Sequence, residues 1–167
     1  MQKPRVSAYE SVSAYDDADW AGCPDSCRST SGYLVYLGTN LVSWCFRKQP
    51  TIARSSAEFE YRSLSHASAG TTWLAFLLNE LGAHIEFLIL LYCDNLNATY
   101  MASNHVFPTR TKHIELDYHF VCEKVAFGSH RTLSHQLISR QIFSLNPSIS
   151  TVMCFLLANL FVQARQV

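Results

Sequence analysis

The chain has 167 residues, 49% of them hydrophobic and 16% charged. That is about one domain, with enough apolar surface for a core, and it excludes a disordered segment or a highly charged tail protein. Thirteen Lys and Arg balance thirteen Asp and Glu, so no global positive field marks a nucleic-acid partner, and any such partner must be held locally. The balance is uneven along the chain: Lys124, Arg131, Arg140 and Arg165 are followed or preceded by no carboxylate beyond Glu123.

Residues 12–20 read as a short strand running into a carboxylate-rich end, followed by a loop, Ala21–Ser31, of turn composition. Two β-prone runs, Gly32–Gly38 and Leu41–Arg47, are separated by Thr39-Asn40 and predict a hairpin closed by Pro50. Ser55 opens a long helix in which Tyr61, Leu64, Ala67, Leu74, Leu78 and Leu81 recur at helical spacing, with Gly82 as a left-handed stop. Phe87–Cys93 is a continuous apolar run bounded by Glu86 and Asp94, the pattern of a central strand covered on both faces. A short helix at 95–103, a loop containing Pro108 and a helix over 112–127 ending at Gly128 follow. This order predicts an α/β fold, a mixed sheet of a hairpin plus parallel strands flanked by helices.

Six cysteines (Cys23, Cys27, Cys45, Cys93, Cys122 and Cys154) lack paired CxxC spacing. Cys23-x3-Cys27 and His119-x2-Cys122 form no complete zinc set, and the expectation is reduced, mostly buried thiols of an intracellular protein without a secretory signal. The apolar stretch Val152–Val162 falls short of the roughly 20 residues of a membrane span, so no membrane partner is expected.

The chemistry concentrates at element ends. Asp17 lies at the end of the first strand, Glu58 in the first turn of the long helix and Asp94 at the end of the buried strand, where side chains leave the core yet sit on a rigid frame. Such a set offers the hard oxygen ligands Mg2+ requires. Other readings stay open: Ser55-x-x-Glu58 is also a capping box, Asp94-Asn95 also a helix cap, and Asp16, Asp17 and Asp19 also a solvated loop edge.

Seven ordered blocks add a resemblance. They are Ser13–Gly22, Arg28–Tyr33, Val42–Trp44, Arg47–Pro50, Ser55–Tyr61, Tyr92–Leu96 and Arg110–Val121. Together they resemble the ribonuclease H region of copia-type LTR-retrotransposon Pol polyproteins over residues 13–128. The resemblance implies a ribonuclease H-like fold and hydrolysis of the RNA strand of an RNA–DNA hybrid with two Mg2+ ions. It implies the metal carboxylates Asp17 (Asp16 standing where the family has Ser), Glu58 and Asp94, with Asp19 and Glu60 supporting or structural. Lys48, Arg110, Lys112 and His113 become candidate phosphate contacts, with ordinary surface charge as the alternative, and a reverse transcriptase domain a candidate partner. The compartment implied is cytoplasmic, a virus-like particle or nuclear.

Beyond Gly128 the chain departs from the family pattern. His135–Phe143 stands where a Gln-Leu-Ala-Asp-Ile-Phe run is expected, and the fourth carboxylate position is Ser139. The expectation is a lead-in over 1–11, a domain over 12–128 and a divergent tail over 129–167, read out of frame, with the last strand and helix missing or improvised. The second metal site and the activity are then impaired. The alternative is a non-catalytic nucleic-acid-binding remnant. Gly70, inside the long helix, is a further departure, costing roughly 1 kcal/mol relative to Ala.

Overall fold

The structure, a computed structural model, describes residues 11–19, 29–48, 55–83, 88–104 and 114–134. Strands β1 (Val12–Asp19), β2 (Thr30–Leu37) and β3 (Asn40–Lys48) form an antiparallel meander, joined at the β2–β3 turn by Gly38 with φ 61°. Helix α1 (Ser56–Glu80) crosses to β4 (Ile89–Cys93), which lies parallel to β1. Helices α2 (Leu96–Ser103) and α3 (Glu115–Ala126) then lead to β5 (His130–Ser134), parallel to β4. The sheet order is β3-β2-β1-β4-β5, a mixed five-stranded sheet with helices, as the sequence predicts.

The helix ends follow local chemistry. Ser55 caps α1, its Oγ accepting the Glu58 N–H at 3.2 Å. At the far end Gly82 adopts φ 78°, the Gly82 N–H bonds Asn79 O and the Ala83 N–H bonds Leu78 O. Those are the two bonds of a Schellman motif. Gly128 (φ 69°) closes α3 the same way, with its N–H on Val125 O and that of Ser129 on Lys124 O.

Residues alternate across β1. Val12 and Ala14 face α1 and join Tyr61, Leu64, Ala67, Leu91, Ala98, Tyr118 and Val121 in the main core. Tyr15 faces the other way and packs with Leu34, Tyr36 and Tyr92, stacked on Tyr92 at 4.6 Å and edge-on to Tyr36 at 5.7 Å.

Two expectations change. The sheet continues past residue 128: the last strand, expected to be missing or improvised, is present as β5, tied to α1 by His130 Nε2 and Thr71 Oγ1 at 3.0 Å. Its five residues alternate inward and outward, and that period of 2 suffices for an edge strand despite few β-branched residues. Gly70 also has a structural reason: a Cβ there would lie 3.0–3.2 Å from the Tyr33 ring and hydroxyl, so its absence lets Tyr33 rest on the helix. The tail from residue 135, with the expected last helix and Ser139, lies outside the described residues. Among the described residues no helix is long and apolar enough to cross a membrane.

Candidate metal centre

The parallel strands β1 and β4 end side by side, their register running from Ser13 beside Leu90 to Tyr15 beside Tyr92. One residue further, Asp16 and Cys93 turn toward α1, and there they meet Glu60. Ligand atoms of Asp16, Glu60 and Cys93 all lie within 4.8 Å of one another. Both carboxyls are 6% exposed and the Cys93 side chain is fully enclosed. Among the described residues, both oxygens of Asp16 and Oε2 of Glu60 find no hydrogen-bond partner. Asp17 and Asp94 flank this cluster toward solvent, Asp17 half-buried and Asp94 exposed. The Asp17 Oδ1 accepts the Ala18 N–H at 2.9 Å.

The electrostatics report the same convergence. Burial pushes the Glu60 carboxyl up to about 9, and the charges of Asp94, Asp16 and Asp17, in that order, add to the rise. Asp16 is raised well above the ordinary aspartate value by burial first, then by Asp94 and Asp17, partly offset by the adjacent Cys93 thiol. The thiol itself is pushed up by burial and by Asp16. Four carboxylates from β1, β4 and α1 therefore feel one another although they are far apart in the chain.

Glu58 takes another direction. It is buried, its N–H is held by the Ser55 cap, and its Oε1 lies 3.3 Å from Arg62 Nη2. Two residues along an α-helix turn the side chain by roughly 200°, so Glu58 and Glu60 leave opposite sides of α1. The ring of charges acting on Asp16 and Glu60 consists of aspartates and of these two groups themselves, and Glu58 is absent from it. The capping alternative for Asp94 is taken up by its neighbour: Asn95 Oδ1 accepts the N–H groups of Asn97 and Ala98 at 2.9 and 3.2 Å.

Of the remaining candidates, Asp19 closes β1 and Lys48 is exposed at the end of β3. Arg110, Lys112 and His113 lie outside the described residues. Reading from sequence gave Glu60 a supporting role and passed over Cys93. A signal for Glu60 was present: it sits one turn before Leu64 and two before Ala67, on the stripe that faces the sheet.

Hard carboxylate oxygens around orphaned buried polar atoms fit a Mg2+-type cation. Asp17, Glu60 and Asp94 offer those oxygens, while the Cys93 sulfur below them is unsuited to so hard an ion.

A mixed sheet in this order, with carboxylates gathered where its parallel strands end, defines the ribonuclease H-like class. Comparison with known proteins gives the lineage. No family model matches the chain. It is 48% identical over 123 residues to the retrovirus-related Pol polyprotein from transposon RE2 of Arabidopsis thaliana, a match covering 74% of this chain and 8% of that protein. The chain thus spans less than a tenth of the length of this relative. Among solved structures it is similar to LC11-RNase H1, isolated from compost by a metagenomic approach, with TM-score 0.54 and 13% identity over 75% of this chain and 84% of that one. That enzyme has also been solved in complex with an RNA/DNA hybrid. The prototype foamy virus protease-reverse transcriptase matches with TM-score 0.57 and 12% identity, covering 100% of this chain and 23% of that one. The chain is a ribonuclease H-like domain homologous to the Pol polyproteins of copia-type retrotransposons.

Proposed function

We propose that this domain hydrolyses the RNA strand of RNA–DNA hybrids with two Mg2+ ions held by Asp17, Glu60 and Asp94, Glu60 taking the role that the sequence gave to Glu58. The observation that carries the reading is the convergence of Glu60 with the ends of β1 and β4, where Asp94, Asp16 and Asp17 all act on its carboxyl. Asp17, Glu60 and Asp94 would hold the ions, which would supply activation of an attacking water and charge stabilisation of the departing oxygen. The chain's own part is to hold carboxylates on rigid element ends and to keep them together despite their repulsion. Glu60, pushed up to about 9 in their company, becomes an ionised ligand only where positive charge offsets its neighbours.

The neutral overall charge is compatible with this role, because the scissile phosphate is neutralised locally rather than by a basic surface. Selectivity for the hybrid would rest on 2′-hydroxyl contacts and groove shape. Serine at 139 brings no charge to the fourth ligand position that the resemblance implies, so a second ion would be held loosely and turnover would be slow. That same serine favours a second reading, a nucleic-acid-binding remnant without catalysis. A reverse transcriptase domain is the natural covalent neighbour in either case.

A labelled hybrid incubated with the protein and increasing Mg2+ tests the proposal. Cleavage of the RNA strand that EDTA stops and Asp94→Asn abolishes is expected. Salt-dependent hybrid binding with no cleavage at any Mg2+ or Mn2+ concentration would leave the remnant reading instead.

A further inference from the structure

The carboxylates assigned to Mg2+ leave the inner end of the cluster unused. There Asp16, Glu60 and Cys93 bring two carboxyl groups and a sulfur within 4.8 Å of one another. Asp16 and Cys93 stand side by side, one residue past the pairing of Tyr15 with Tyr92, and Glu60 reaches them from the second turn of α1. Asp16 stands where the resembled family has serine, so this set belongs to the chain rather than to the fold.

The set is enclosed and unsatisfied. Asp16 and Glu60 are 6% exposed and Cys93 is 0% exposed. Both oxygens of Asp16 and Oε2 of Glu60 have no hydrogen-bond partner among the described residues, which costs about 1–3 kcal/mol for each group left unpaired. A proton shared between the two carboxyls would satisfy one oxygen on each and give the sulfur no role. The Cys93 Sγ donates to Asn95 O at the long distance of 3.8 Å, and S–H is a weak donor, so little holds its proton against a metal.

Sulfur beside carboxylates selects the ion. Mg2+ takes hard oxygens in a near-ideal octahedron and keeps its waters. Zn2+ takes carboxylate oxygen at about 2.0–2.2 Å and thiolate sulfur at about 2.3 Å in a tetrahedron, which spaces its ligand atoms roughly 3.4–3.6 Å apart. Side-chain rotation that closes each pair by at most about 1.4 Å brings the three atoms to that spacing. Asp17 and Asp94, on the solvent side, draw a cation inward.

We propose that Asp16, Glu60 and Cys93 form a separate site for a thiophilic divalent ion of the Zn2+ type, and that filling it withdraws Glu60 from Mg2+ and arrests cleavage. On binding, the Cys93 S–H bond breaks, the proton passes to solvent and the sulfur electron pair forms the metal bond, with no change of oxidation state. Protons on the two carboxyls leave for solvent in the same way. The site stands on its own geometry, and its inhibitory effect rests on the proposed hydrolysis of hybrids.

Competition of the full chain with a chelating indicator measures Zn2+ binding, and Co2+ in its place reports the sulfur through thiolate-to-cobalt charge-transfer absorption. A tightly held Zn2+ that excess Mg2+ does not displace is expected, with a cobalt band that Cys93→Ser abolishes. Asp16→Ser should weaken Zn2+ binding at least about tenfold, and circular dichroism checks that both variants fold. In the cleavage assay, Zn2+ added to saturating Mg2+ should stop the wild type. Asp16→Ser should lose that sensitivity, measured against its own rate without Zn2+.

Zn2+ binding and a cobalt band that survive both substitutions would place the metal on other residues and overturn the site. Cleavage in Mg2+ by a protein that binds no Zn2+ would overturn the site and leave the proposed function standing. Cys93-dependent Zn2+ binding by a protein that cleaves nothing in Mg2+ would retain the site and remove the nuclease. Cys93-dependent binding that leaves cleavage untouched would overturn the sharing of Glu60 between the two ions.

Discussion

Restoring serine at position 16 should stabilise the protein, and the size of the gain follows from the burial of that one carboxyl. Asp16 is 6% exposed and neither oxygen has a hydrogen-bond partner among the described residues. A buried polar group left unpaired costs about 1–3 kcal/mol, so Asp16→Ser should gain about 2 kcal/mol at neutral pH in EDTA. With a urea slope of about 2 kcal/mol per molar, that moves the unfolding midpoint up by about 1 M. The pH dependence gives a second signature. Burial raises Glu60 from 4.5 to about 9 and lifts Asp16 well above the ordinary 3.8, so the folded state binds more protons than the unfolded one above those ordinary values. Their stabilising contribution is complete below pH 3.8 and is lost as pH rises toward the folded values, by as much as about 1.4 kcal/mol per pH unit per group. Wild-type stability measured without metal should therefore fall between about pH 5 and 9. The variant should show a shallower fall, since Asp16 is gone and Glu60 has lost one of the charges that raise it. Equilibrium urea unfolding across that range is the assay. A variant no more stable than wild type, with the same slope, would refute the placement of Asp16 as a buried, unpaired acid.

His130 should oppose this trend on the acid side. It is 3% exposed, bonded to Thr71 and Ser129, and lowered from 6.5 to about 4 by burial and then by Lys124; the unfolded chain binds a proton first, so stability is lost as pH falls from 6.5 toward 4. The difference between wild type and His130→Gln in thermal unfolding over that window should isolate about 2 kcal/mol. Gly70→Ala should destabilise by about 1 kcal/mol, the clash with Tyr33 at 3.0–3.2 Å outweighing the helix gain. In a Tyr33→Leu background the same change should stabilise, and denaturant melts of the four proteins complete the cycle. Ser139→Asp should raise Mg2+-dependent cleavage of a hybrid if the missing fourth ligand limits turnover; unchanged rates would place the limitation elsewhere.

The sheet and helices were legible because their signals are local. The hairpin announced itself by two β-prone runs around a short turn, and α1 by apolar recurrence ended at Gly82. β4 was legible as an unbroken apolar run between two acids. β5 was less so, since Arg131 and Ser134 dilute its hydrophobicity and its place depends on pairing with β4 and on the Thr71–His130 contact. At the centre, Asp17 and Asp94 were expected at strand ends, and the structure places both where their charges act on Glu60. The helix glutamate is where the reading from sequence and the proposal part: the resemblance implied Glu58, with Glu60 supporting, whereas the turn of the helix brings Glu60 beside Asp16 and Cys93 and leaves Glu58 with the Ser55 cap and Arg62. Asp16 read as the edge of a solvated loop, although alternation along β1 puts it on the same face as Val12 and Ala14.

The choice between the two glutamates tests the account most directly. Rates of hybrid cleavage in Mg2+ should be abolished by Glu60→Gln and largely retained by Glu58→Gln, which at most loosens the start of α1 through its contact with Arg62. Loss of cleavage with Glu58→Gln in a protein that still unfolds cooperatively, alongside full activity with Glu60→Gln, would contradict it.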